Sequence, residues 1–258
     1  MWTKMRTRVG TSGYSFQDWR GTFYPEDLPK GEMLPYYARH FDIVEINSTY
    51  YRIPSPYTFR RMLRKVPEGF GFTAKVPKEW THEGKGEEVA KPFGEAIAPL
   101  LESGTLLGLL AQFPWRFRNT PENRDYIRRS REWAGDVPLF VEFRHISWLK
   151  PEVLDLLKEE GIGFVSVDEP RLRGLLPSEF HLTTDIGYVR LHGRNAEKWW
   201  SGGAERYDYL YSEEELREWA EEVRRRREEM RECWVFFNNC HRGQAAQNAL
   251  QMKMILEG

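Results

Sequence analysis

Short apolar runs recur along the chain, each closing on a few polar residues and most followed by a stretch of helical spacing. The extended runs are Arg8 to Ser12, Asp42 to Asn47, Gly71 to Val76, Leu106 to Phe113, Pro138 to His145, Gly163 to Asp168, Tyr188 to His192 and Trp234 to Asn239. Strand side chains alternate between faces. In the run PLFVEFRH, Phe140, Glu142 and Arg144 therefore share one face, and Leu139, Val141 and Phe143 the other. Leu106 to Phe113 is apolar almost throughout, which suits burial on both faces. Helices are expected from about Glu32 to His40, from the Ser55 cap and Pro56 to Lys65, and from Phe93 to Glu102. Others run from Thr120-Pro121 to the Gly135 stop, from Pro151 to Glu160, and from the Ser212–Glu215 capping box to Arg231. The last spans Gln244 to Leu256. The segments Glu169 to Ile186 and Gly193 to Tyr211 lack clear periodicity. Connections of that length in compact domains are usually functional or mobile.

Alternation of strand and helix implies parallel strands. Eight units in 258 residues fit one (β/α)8 TIM-type barrel domain over residues 1–258, with long loops at the carboxyl-terminal face. A doubly wound sheet would open on a glycine fingerprint that Gly10-Thr11-Ser12-Gly13 does not match.

Composition changes this picture little. The formal net charge of -1 gives no global bias towards nucleic acid or membrane, and a 30% charged fraction rich in Arg and Glu leans towards a thermophilic source. No apolar run approaches the ~18 residues of a membrane span. Met1 to Gly13 lacks the apolar centre of a secretory signal. Cys233 and Cys240 flank one strand, roughly 20 Å apart and too far to bridge. A reduced, cytoplasmic protein is expected.

Barrel enzymes build their sites where strands end. The residues delivered there are Ser12, Glu45, Asn47, Lys75, Gln112, Glu142, Arg144, His145, Asp168, Arg190, His192, Asn238 and Asn239. In the functional reading, Lys75, Arg144 and Arg190 hold a phosphate or carboxylate. Glu142 or Asp168 acts as general base, with His192 as proton partner. In the competing reading, Glu45, Glu142, Arg144 and Arg190 form a paired layer that closes the barrel. No cofactor is expected. A divalent ion on Glu142, Asp168 and His192 is the less favoured option, because no metal-binding spacing is present and three cations lie close by.

Trp19, Trp80, Trp148, Trp199 and Trp200 fall in loops at the same end. Trp19 and Trp148 read as core. Trp199 and Trp200 read as stacking surfaces, on a lid hinged by Gly202-Gly203. Asn238 and Asn239, with Arg242 and Gly243, could offer backbone donors to a phosphate. Three functions fit this set: hydrolysis of a phosphate-bearing or nucleic-acid-like substrate, binding of a nucleotide or nucleic acid without catalysis, and sugar lyase or isomerase chemistry. The expected partner is an anionic small molecule or a nucleic acid, not a membrane, and no pattern assigns an oligomeric state.

The segments GTSGYSFQDWRGTFYP, FDIVEINSTYYRIP, FTAKVP, FVEFRH with SW, YVRLHGRN and FFNNCHRGQAAQNA together resemble the "domain of unknown function 72" family over nearly the whole chain. The resemblance implies a TIM-type barrel, similar to the metal-dependent barrels of endonuclease IV and xylose isomerase. It implies no reaction.

Overall fold

The computed structural model describes residues 5–201 and 203–258. Eight parallel strands alternate with helices in a nearly closed barrel, the (β/α)8 TIM-type architecture. The strands are β1 (Arg6–Thr11), β2 (Ile43–Ile46), β3 (Gly71–Lys75), β4 (Leu106–Gln112), β5 (Leu139–Glu142), β6 (Gly163–Asp168), β7 (Ile186–Leu191) and β8 (Glu232–Phe237). Hydrogen-bonded neighbours run β1-β8-β7-β6-β5-β4-β3-β2.

The junction between β1 and β2 is thin. It rests on a bridge between Ser12 and Glu45 and on Gly13 N–H donating to Glu45 O at 2.9 Å. The Tyr37 hydroxyl fills the gap below. It accepts from Thr11 N–H at 2.8 Å and donates to Ile43 O at 3.0 Å. Gly10 lets the strands approach this closely, since a Cβ there would lie 2.3 Å from Ile43 O.

Helix α1 (Met33–Tyr37) precedes β2, and α2 (Ser48–Tyr51) and α3 (Pro56–Leu63) follow it. Ser55 begins α3 as expected but makes no capping bond. After β3 come α4 (Lys78–Thr81) and α5 (Gly86–Glu102). Trp80, expected in a mouth loop, lies on α4 and is buried, donating to Ser130 Oγ. Helices α6 (Pro121–Trp133) and α7 (Pro151–Glu159) follow β4 and β5. The β6–β7 connection carries no helix among the described residues. Helix α8 (Glu213–Arg225) has the predicted capping box but stops before a 3-10 turn at Arg227–Glu229. Helix α9 (Gln244–Glu257) ends the chain, and no helix among the described residues is long and apolar enough to cross a membrane.

Inside the barrel the lower layer is aromatic. Phe140, Tyr188 and Trp234 pack with ring centroids 5.1–5.7 Å apart. Phe140 fits because its neighbours on β4 and β6 are Gly108 and Gly163, where a Cβ would meet the ring at 2.7 and 2.2 Å. Strand alternation then points Glu142, Arg190 and Phe236 inward one layer higher.

Candidate functional site

Above the aromatic layer lies a chain of buried ion pairs. Arg190, reaching across from β7, donates to Glu45 Oε1 at 2.6 Å and to Ser12 Oγ at 3.2 Å. Its other amino group pairs with Glu142. Arg144 takes the second Glu142 oxygen at 2.6 Å and reaches Glu169 at 3.0 Å. The order Glu45–Arg190–Glu142–Arg144–Glu169 thus spans the barrel. Tyr188 donates to the remaining Glu45 oxygen at 2.6 Å. Such a layer is costly to bury and costly to break, because loss of one member strands its neighbour.

The network sets the charge states. Burial pushes the Glu142 carboxyl up, but Arg144, Arg190 and His192 outweigh it and hold it well below the usual carboxylate range. A carboxylate so stabilised is a poor proton acceptor. Burial, then Arg144, lowers His192 to about 3, so it is neutral at pH 7. Its Nδ1 accepts from the Asn238 amide at 2.9 Å, which leaves the proton on Nε2, 3.3 Å from Glu142. Glu169 rises to about 7 through burial, against the pull of Arg144.

This layer is the floor of a cavity of about 680 Å³ at the carboxyl ends of the strands. Lys75, Arg144, Arg190 and Arg206 line it, with His82 and His241, whereas Asp18 is the sole lining carboxylate among the described residues. Asp18 is already engaged, accepting Arg242 N–H at 2.8 Å. Glu45, Glu142 and Glu169 lie beneath and are fully buried. Lys75 stands apart from the other inward charges. It forms no ion pair among the described residues; its Nζ donates to Gln112 Oε1 at 2.8 Å and sits 4.3 Å from the Tyr50 ring centroid. Burial first, then Arg190, lowers it to about 7.

The structure brings together Ser12, Asn47, Lys75, Arg144, Arg190, Trp199, Trp200 and Asn238 on the cavity wall, with Glu45, Glu142 and His192 under it. Asp168 and Asn239 sit elsewhere. Asp168 faces outward between barrel and helices, where Arg194, Tyr211 and Trp219 all donate to it at 2.8–2.9 Å. Asn239 donates to Tyr209 O and Asn248, holding the last loops to α9. Both residues end strands whose inward parity falls one position away. Glu169, one residue past Asp168, is the inward carboxylate. Asp168 therefore does not join Glu142 and His192 as a metal cage, and no group of three His, Cys, Asp or Glu among the described residues does so.

The aromatic rim meets expectation in part. Trp19 and Trp148 are core as expected, donating to Cys240 O and Phe117 O. Trp199 is buried over Arg144, 5.8 Å from ring centroid to guanidinium. Trp200 is 58% exposed and meets Trp115, 38% exposed, at 5.7 Å. Trp115, Tyr50, Tyr51 and Tyr207 complete the rim, and none of them was expected there. Gly202, half of the expected hinge, lies outside the described residues. His145 is turned from the cavity, pairing with Ser147 and Arg118.

Residues 8–258 match the family model for "Protein of unknown function DUF72". This chain belongs to the DUF72 family. It is 31% identical over 268 residues to the UPF0759 protein YunF of Bacillus subtilis, covering 96% of this chain and 94% of that one. A solved DUF72 protein from Thermotoga maritima is 47% identical and superposes with a TM-score of 0.92, over 98% of this chain and all of the other. Another from Enterococcus faecalis is 32% identical, with a TM-score of 0.89 over 98% and 96% of the two chains. The segments that carry the DUF72 resemblance supply Ser12, Glu45, Asn47, Lys75, Glu142, Arg144, Arg190, His192 and Asn238. In this DUF72 chain those residues form the network and the cavity wall above it.

Proposed function

We propose that the cavity binds a small phosphate- or carboxylate-bearing molecule with a sugar-like or flat portion, and that Lys75 is the group that exchanges protons with it. One observation carries the reading: the wall offers Lys75, Arg144, Arg190 and Arg206 against a single engaged carboxylate, while the acids lie below. Arg190 Nε and Arg206 Nε are buried donors without a partner, so an anion above the floor would complete them. The aromatic rim suits the remainder of the ligand. A pocket, rather than a basic track along the surface, favours a small molecule over a nucleic-acid strand. Glu142, locked as an anion, gives the proton role to Lys75, which is poised near neutrality. Glu142 and His192 serve by fixing Arg144 and Arg190. Among the described residues no three His, Cys, Asp or Glu side chains come together as a metal-holding group.

Sulfate is a suitable probe because it does not titrate near neutrality. Burial sets the charge of Lys75 first, and then the charged groups around it: Arg190 on β7, Glu142 and Arg144 at the end of β5, and Glu45 on β2. A bound anion favours the ammonium form. Affinity measured by calorimetry is therefore expected to fall as pH rises through about 7, with proton uptake on binding. Lys75→Met should remove that pH dependence. No detectable sulfate binding at low ionic strength would overturn the reading.

A further inference from the structure

The surroundings of Lys75 fit a nucleophile better than a point charge. Every other cation of the inner layer is locked by carboxylates, with Arg144 and Arg190 each holding two. Lys75 has an amide oxygen and a ring face instead. Gln112 is itself fixed, because its amide nitrogen donates to Phe113 O at 2.8 Å. Its oxygen therefore faces Lys75, where it can accept an N–H from either the amine or the ammonium form. An amine held by a neutral acceptor keeps its lone pair available, which a carboxylate partner would not allow.

We propose that Lys75 forms an imine with the aldehyde or ketone group of an anionic carbonyl compound, the open-chain form of a sugar phosphate being the class that fits. This rests on the anion-binding reading: Arg144, Arg190 and Arg206 take the phosphate, and the carbonyl carbon comes to Nζ. The neutral amine adds to that carbon, forming the C–N bond and a carbinolamine. The carbonyl oxygen then departs as water, carrying both amine hydrogens, and leaves the C=N double bond. No oxidant, reductant or cofactor is consumed. The lowered basicity of Lys75 supports the step, because burial favours its neutral amine near pH 7, whereas an ordinary lysine is almost wholly protonated there.

The test uses the intact protein at pH 7 with dihydroxyacetone phosphate or its phosphate-free parent, dihydroxyacetone. Sodium cyanoborohydride converts any imine to a stable amine, and peptide mass mapping locates it. The expected result is modification of Lys75 roughly tenfold to a hundredfold faster than of the other lysines, which serve as internal controls. The phosphorylated ketone should react faster than dihydroxyacetone, and sulfate should slow it. Lys75→Arg, which keeps the charge, should lose the adduct while retaining sulfate binding. Adducts confined to other lysines in a protein that binds sulfate would overturn the imine and leave the anion site standing. Fast labelling of Lys75 by both ketones, unaffected by sulfate, would uphold the nucleophile and overturn the anion site.

Discussion

At the scale of single residues, Lys75 stands in an environment that favours the loss of its charge. Its proton affinity in the folded chain, about 7, lies below the ordinary 10.5 that the unfolded chain retains. Between those values the unfolded state binds more protons, so this residue makes stability rise with pH across the window and penalises the fold fully below it. Replacing it with methionine removes the penalty and keeps the apolar stem. Lys75→Met is expected to stabilise the protein by about 1–3 kcal/mol at pH 7 while abolishing proton uptake with sulfate. Urea unfolding at pH 7 and pH 9.5 checks this, and the gain should shrink at the higher pH. A loss of stability at pH 7 would show that the lysine is satisfied where it stands. The residue types gathered here were legible in the chain, because each of Glu45, Lys75, Glu142, Arg144, Arg190 and His192 ends or follows an apolar strand. The division of labour was not. Which cation is paired and which is free depends on side chains from β2, β5 and β7 meeting across the barrel, and no local spacing encodes that.

At the scale of elements, strand parity decides which side chains reach the cavity. Gly163 faces the Phe140 ring, so Val165, Val167 and Glu169 point inward and Asp168 outward. Reading polar residues at a strand end without fixing parity selects Asp168 over Glu169, and Asn239 together with Asn238. The signal that could have separated them is the glycine beside a bulky inward ring, which shows only once strands are paired. Closure is the second matter at this scale. The seam between β1 and β2 carries Ser12 and Glu45, both partners of Arg190, so barrel closure and site assembly are one event. Gly10→Ala would drive a methyl group into the Ile43 carbonyl. It is expected to cost about 1–3 kcal/mol of stability and to weaken sulfate binding as well. Tyr37→Phe, which leaves Thr11 N–H and Ile43 O without their shared partner, should cost about 1–3 kcal/mol by the same assay. If Gly10→Ala unfolds at the parent's urea midpoint, the seam is not the constraint described.

At the scale of the whole molecule, the eight strands and the loops at their carboxyl ends follow directly from the hydrophobic pattern, while the rim over the cavity does not. That rim is assembled from connections distant in sequence: Tyr50 and Tyr51 after β2, Trp115 after β4, and Trp199, Trp200, Arg206 and Tyr207 between β7 and α8. Only the fold places Trp115 beside Trp200, with ring centroids 5.7 Å apart. Arg118 lies over the Trp115 ring at 4.1 Å, so Trp115 is held from two sides while Trp200 is the more exposed partner. An exposed aromatic pair at the mouth of a cationic cavity divides recognition into two parts: the floor and wall take the anion, and the rings take what is attached to it. Truncating Trp200 should therefore leave the affinity for sulfate unchanged while weakening a sugar phosphate or nucleoside monophosphate by about 1–3 kcal/mol. Because Trp200 is 58% exposed, the unfolding midpoint should not move. Calorimetric titration of Trp200→Ala with the two kinds of ligand separates the parts. Equal losses for both would place the tryptophan in the anion site itself, and no loss for either would make the rim a surface feature with no share in binding.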